Sequence, residues 1–202
     1  MNPLEIIHEK YSYSRRLLRL RELLAENILA GERVLDVGCG DGELAFLIKQ
    51  ERPDIDVQGI DVLVREETKI PVSPFDGTRL PYPDNSFDVV MFSDVLHHTN
   101  DPRVLLNEAA RVSKRAIVLK DHTCNGPFAH STLRLMDWVG NSRHGVRLPY
   151  NYWPKQRWIM TFESMGLTVR SWKEDLKMYP FWADPIFGRS LHFVARLDIV
   201  HN

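Results

Sequence analysis

The chain has 202 residues, 44% of them hydrophobic and 26% charged, with a formal net charge of -1. That length suits one domain with a single core that needs no covalent staple, and the balanced charge exerts no pull on nucleic acid or anionic lipid. Cys39 and Cys124 lie far apart without CxxC spacing, no apolar run nears the roughly 20 residues of a membrane span, and the N-terminus lacks a signal-peptide core, so a reducing, cytoplasmic setting is expected.

In chain order, residues 3–28 place Leu17, Leu20, Leu24 and Ile28 at helical spacing, with Arg15, Arg16, Arg19 and Glu22 on the other face. This N-terminal helical segment, 1–30, is expected to pack on the core edge, or to cover a ligand with Tyr11 and Tyr13. Strand and helix then alternate. Strands are predicted at 33–37, 56–60, 87–92 and 116–120, with a short one at 70–75, and helices at 42–50 and 102–112, the latter with Pro102 in its first turn. Strands separated by helices imply right-handed crossovers and a mostly parallel α/β sheet.

Residues 121–154 break this rhythm. The segment is rich in aromatics, His, Asn, Gly and Pro, and is predicted to hold one helix, 132–139. An irregular stretch of this length after a parallel strand is expected to be an acceptor-binding or lid insertion. A helix at 155–165, closed by Gly166, and strands at 167–172 and 191–197 complete the domain. The stretch 173–190 is too rich in proline and aromatics for a regular element.

The turn after the first strand reads VLDVGCGDGELAFLI, with Gly38, Gly40 and Gly42 at alternate positions and Asp36 inside the strand. In a doubly wound sheet this turn is where ligands bind. The dinucleotide fingerprint is GxGxxG, in which glycines and a helix N-terminus accommodate a pyrophosphate. GxGxG preceded by an aspartate does not suit an anionic pyrophosphate; the carboxylate is placed to order the loop or to attract the cationic amino end of a ligand, which makes a dehydrogenase remote. Asp61, at the end of the next strand, is placed to accept hydrogen bonds from both hydroxyls of a ribose.

Taken together, VLDVGCGDG, GID and FDGTRLPYPDNSFDVVMFSDVLHH resemble a class I S-adenosylmethionine-dependent methyltransferase of the type 11 small-molecule group, over about residues 34–120. The resemblance implies a single Rossmann-like, doubly wound domain with helices on both faces and a C-terminal antiparallel strand. It implies S-adenosyl-L-methionine as cofactor, with Asp36 ordering the loop and Gly38, Cys39, Gly40 and Gly42 passing close to it. It further implies that Asp61 holds the ribose, that Val62 packs on the ribose or adenine, that Asp76 and Gly77 lie at the adenine, and that Ser93 and Asp94 lie beside the methionine portion. Between Asp61 and Asp76 the chain departs from the family, because the interval is short and contains prolines. The helix that normally follows the second strand is therefore expected to be truncated or lost.

Methyl transfer from a sulfonium needs alignment and, for an oxygen acceptor, a base. The candidates are Asp94, His97 and His98 after the fourth strand and Asp121 and His122 after the fifth; of these, His122, Asp121, His98 and Asp94 are taken as the catalytic set. Neighbouring histidines tend to diverge, and no HxH or HxxxH pair is present among them, so no metal site is expected. Trp138, His144, Tyr150, Tyr152 and Trp153 are expected to bind the acceptor, with Trp182 as a further apolar wall and Asn141, Arg147 and Asn151 as further polar contacts. This points to a small aromatic or apolar acceptor, with no nucleic-acid partner and with a homodimer left open. The alternative is a catalytically silent S-adenosylmethionine-binding module that acts through a partner.

Overall fold

The computed structural model describes residues 14–141 and 148–200. The elements are α1 (Ser14–Ala25), β1 (Arg33–Val37), α2 (Glu43–Glu51), β2 (Asp56–Asp61), β3 (Val72–Pro74), β4 (Phe87–Ser93), a 3₁₀ turn (Leu96–His98), α3 (Pro102–Val112), β5 (Ser113–His122), α4 (Ala129–Asn141), α5 (Lys155–Ser164), β6 (Leu167–Lys173), α6 (Asp184–Phe187) and β7 (His192–Ile199).

The seven strands form one sheet in the order β3-β2-β1-β4-β5-β7-β6. Pairing is parallel from β3 through β5, and β7 runs antiparallel to both β5 and β6. This is the doubly wound sheet with an antiparallel C-terminal strand that the sequence implied. Strand order reverses between β1 and β4, which makes the carboxyl ends of these two strands the crevice for a ligand.

The strands' period of two divides the core into two layers. Val90 and Phe92 of β4 and Ile117 and Leu119 of β5 pack with α3 and α5 on one face. Val89 and Met91 of β4 and Ala116 and Val118 of β5 pack with α1 and α2 on the other. Helix α3 illustrates how local sequence sets an element. The Asp101 side chain accepts from the Arg103 amide, Pro102 sits at the start, and Leu105, Leu106, Ala109 and Val112 form its buried stripe.

Four regions differ from the expected boundaries or contents. Strand β5 extends at both ends, because Ser113 pairs with Phe87 of β4 and the pairing with β7 continues to His122 opposite His192. Helix α4 is longer than 132–139. The stretch expected to be irregular contains the one-turn α6, with Pro at its N-terminus where a fixed φ assists. Trp153 lies in the core with Trp158, Phe162 and Phe193 rather than in a pocket wall. No helix stands between β2 and β3, in line with the shortened interval. Among the described residues no helix is long and apolar enough to cross a membrane.

Candidate active site

The first part of the site is the turn between β1 and α2. Gly38, Gly40 and Gly42 all have positive φ, between 61° and 77°, a region in which a Cβ is penalised. The three are not equivalent in space. A Cβ on Gly38 would meet Val95 at 2.7 Å and one on Gly42 would meet Ile70 at 2.4 Å, whereas one on Gly40 would meet nothing within 4 Å. Gly40 therefore presents bare backbone to open space, and Gly38 docks the loop against the segment after β4.

Asp61, at the end of β2, clamps this loop. One carboxylate oxygen accepts from the Gly40 amide at 2.8 Å and the other from the Leu63 amide at 2.8 Å. Each oxygen retains a lone pair for a further donor. Asp36 is buried in β1, and burial together with the nearby Asp61 charge pushes its carboxyl up to about 7. Burial and the same two carboxylates also push the Cys39 thiol well above its ordinary range, so the thiolate is not formed and this sulfur is not a nucleophile. Val62 is 63% exposed at the rim. Asp76 is exposed, accepting from the Thr78 and Arg79 amides ahead of the turn that Gly77 completes at positive φ. The crevice thus contains open backbone, a ribose-competent carboxylate and a buried acid that a cationic ligand would favour in its ionised form. These residues fit a nucleoside cofactor that carries an amino-acid arm with a free ammonium.

The second part of the site is a polar chamber beside the glycine loop, drawn from α1, the segment after β4, β5, α4, the segment after α4 and β7. Ser93 ends β4, and Asp94 follows it with φ 59°, a strained position for a non-glycine residue. One Asp94 oxygen pairs with the ammonium of Lys120, which is fully buried, and the other with Arg16 of α1 at 2.5 Å. Burial alone would raise the Asp94 pKa, but Lys120 and Arg16 outweigh it and hold the carboxylate well below its ordinary range. Asp121 is fully buried and fully engaged. One oxygen accepts from the Leu96 amide at 3.0 Å, and the other lies 2.7 Å from Nδ1 of His97 and accepts from the His122 amide.

His97 is 1% exposed between two acids, Asp121 at Nδ1 and Asp137 of α4 at 3.4 Å from Nε2. Burial opposes its protonated form, but the two carboxylates raise its pKa to about 10. Its neighbours behave oppositely. Burial and the adjacent His97 push His98 down to about 4, and burial, Lys120 and His97 hold His122 well below the usual range. Both are therefore neutral imidazoles near pH 7, and each has a buried Nδ1 without a hydrogen-bond partner. Nε2 of His122 lies 3.4 Å from Asp94 and 3.7 Å from Asp137. Tyr152 donates its hydroxyl to Asp137.

Beyond Tyr152 a groove of about 350 Å³ opens along α4, lined by His130, Ser131, Arg134, Leu135, Trp138 and Tyr150. The Arg134 guanidinium sits 4.9 Å from the Tyr150 ring centre. Trp138 and Tyr150 line this groove, and the buried Tyr152 ring stands between Tyr150, at 6.4 Å, and His97 and His122, each at 5.8 Å, while Trp153 lies in the core. Asn151 donates from its side chain to the Thr99 and Asn100 carbonyls and so ties this segment to the 3₁₀ turn. Trp182 is 68% exposed and does not line the groove. His144, Arg147, Tyr11 and Tyr13 lie outside the described residues, as does the side chain of Asn141.

Sequence reasoning passed over Lys120, Asp137, His192 and the contact of Arg16. Asp137 carried a signal: it continues the i, i+4 stripe of Ala129 and Leu133, which places an acid on a buried helix face. His192 also carried one, as a polar residue within the otherwise apolar start of the strand LHFVARL. Nothing near Arg16 pointed to β4.

A methyltransferase-domain model matches residues 8–171 of this chain. A demethylmenaquinone methyltransferase from Renibacterium salmoninarum is 34% identical over 174 residues, covering 70% of this chain and 70% of that protein. The chain belongs to the class I S-adenosylmethionine-dependent methyltransferases. Within that family it is also similar to the 27-O-demethylrifamycin SV methyltransferase of Amycolatopsis mediterranei, 35% identical over 96 residues. That match covers 41% of this chain and 35% of the relative, so the chain spans about a third of that protein's length. The fold recurs in the crystal structure of geranyl diphosphate C-methyltransferase from Streptomyces coelicolor, with a TM-score of 0.70 at 13% identity over 98% of this chain and 88% of that one.

Proposed function

We propose that this protein transfers the methyl group of S-adenosylmethionine to a small, flat, aromatic or apolar acceptor of the quinol or phenol class. Bound in the crevice, the cofactor supplies an electrophilic methyl. Asp61 and Val62 take its ribose, and Asp76 with Gly77 its adenine end. Asp36, the glycine-loop backbone at Gly38, Cys39, Gly40 and Gly42, and Ser93 with Asp94 take its amino-acid end.

The observation that supports catalysis most strongly is the neutral His122 imidazole, buried at the end of β5 with one ring nitrogen unpartnered and the other beside two carboxylates. It accepts the proton of an acceptor hydroxyl, and Asp94 and Asp137 favour the imidazolium that results. Asp121 contributes by orienting His97. His98, the other neutral imidazole, borders the same space. Trp138, Tyr150 and Tyr152 guide the acceptor inward, and Arg134 meets any polar group it carries. Such an acceptor agrees with the relative named for demethylmenaquinone.

Calorimetric titration with S-adenosylhomocysteine, with NADH in parallel, tests the reading. Micromolar binding of the first alone is expected, followed by methyl transfer to members of a quinol and phenol panel that falls roughly a hundredfold in His122→Ala. Absence of S-adenosylhomocysteine binding overturns the reading.

A further inference from the structure

Methyl transfer to a hydroxyl needs one base, yet the chamber packs together four histidines. Ring centres of His97 and His98 are 4.0 Å apart, those of His97 and His122 4.5 Å, and those of His122 and His192 4.8 Å. On the 3₁₀ turn the adjacent His97 and His98 converge instead of diverging.

Among the described residues two triads in this chamber have ligand atoms within 4.8 Å of one another: Asp94 with His97 and His122, and His97 with His98 and Asp137. The first is disfavoured, because the two Asp94 oxygens already face Lys120 and Arg16, and a metal ion there would meet two cations. The second has the features of a coordination site. The separation of 3.4 Å between His97 Nε2 and Asp137 is long for a charged hydrogen bond. It matches the edge of a tetrahedron, about 3.3 Å, with metal–ligand bonds near 2.0–2.1 Å. His97 Nε2 and His98 Nδ1 are both buried without a hydrogen-bond partner. Asp121 holds His97 Nδ1 at 2.7 Å while its other oxygen is fixed by the Leu96 amide, the carboxylate–histidine support typical of metal-binding imidazoles. Tyr152 similarly orients Asp137.

We propose that His97, His98 and Asp137 form a binding site for one divalent cation of the Zn²⁺, Fe²⁺ or Co²⁺ class. Two imidazoles and one carboxylate select such ions over Mg²⁺ or Ca²⁺, which prefer all-oxygen shells. Three protein ligands leave a position open for water or for an acceptor oxygen. Use of that position by the acceptor rests on the methyl-transfer reading, whereas cation binding does not.

The test uses the whole chain stripped with chelator and titrated with Co²⁺, read by visible d–d absorption and by calorimetry, with Zn²⁺ competition. One equivalent is expected to bind, giving a nitrogen–oxygen spectrum without thiolate charge transfer. His98→Asn and Asp137→Asn should each weaken binding by more than the roughly 10- to 100-fold that outer supports command, and Asp121→Asn by an amount within that range. S-adenosylhomocysteine titration of each variant reports whether it is folded. Where a variant fails that check, paramagnetic broadening of the His97 and His98 resonances in the unaltered protein replaces it as the readout. The proposal is overturned by the absence of stoichiometric binding, by binding that persists in both ligand variants, or by unbroadened His97 and His98 resonances. Binding of S-adenosylhomocysteine without any cation sinks this site and leaves the methyl-transfer reading standing.

Discussion

Asp61 and Asp36 lie at the ends of neighbouring strands and respond to a ligand in different ways. Asp61 accepts two backbone amides and has capacity left for a ribose diol. Asp61→Ala is therefore expected to weaken S-adenosylhomocysteine binding by about 2 to 4 kcal/mol, since two charge-assisted hydrogen bonds and the loop clamp are lost together. Unchanged affinity in calorimetry would discard the ribose assignment. Asp36 is unfavourable to the unliganded fold once ionised. Its folded pKa of about 7 lies above the ordinary 3.8, so between these values the native state holds a proton that the unfolded chain has released. Stability from this group is accordingly lost as pH rises from about 4 to 7, and no further change follows above that. The melting temperature of Asp36→Asn minus that of the unaltered protein should increase from pH 5 to pH 8. A difference that is flat across this range would contradict the shift. Asp36 was legible in the sequence as an acid inside an apolar strand, but its raised pKa depends on the approach of Asp61 from the adjacent strand.

At the scale of the element, the β1–α2 turn shows how much a local pattern encodes. Gly42 caps α2 with a left-handed conformation, and its α-carbon faces Ile70 across the turn. Gly42→Ala combines the left-handed penalty with displacement of the Ile70 side chain. The expected cost is about 2 to 4 kcal/mol in urea denaturation with an unchanged slope. A loss below about 1 kcal/mol would mean that Ile70 swings aside freely and that the turn relaxes. The glycine spacing made the left-handed turn legible, whereas Ile70 as the neighbour was not, because it arrives from 28 residues later. The same contrast separates α3 from α4. Capping and periodicity identified α3 nearly residue for residue. The extent of α4 depends on Leu133 and Asp137 finding Leu191 and Tyr152, contacts made across distant segments.

At the scale of the whole molecule, cofactor binding and global stability are linked. A ligand that binds only the folded chain at a hundred times its dissociation constant adds about 2.7 kcal/mol. For a domain of this size that corresponds to a rise in melting temperature of roughly 5 to 10 °C. S-adenosylhomocysteine should produce this rise in the unaltered protein and a much smaller one, at equal concentration, in Asp61→Ala. Equal shifts in both would place the ligand elsewhere. Helix α1 takes part in the same unit: Leu20, Leu23 and Leu24 are buried in the core layer that includes β1 and β5, while Arg16 on the same helix reaches Asp94. Core packing and the polar chamber are therefore joined through one element.

The sequence by itself determined the alternating α/β order, the glycine turn, the carboxylates at the ends of β1 and β2 and the loss of a helix after β2. These follow from periodicity, turn chemistry and spacing, all set by residues close together in the chain. Only the tertiary structure decided that Lys120 and Arg16 share Asp94, that Asp121 serves His97 and that Asp137 closes the chamber from α4. It also decided that Trp153 supports the core while Tyr150 and Trp138 line the groove. Burial, ion pairing and the resulting protonation states depend on which distant segments meet, and a one-dimensional pattern does not contain those meetings.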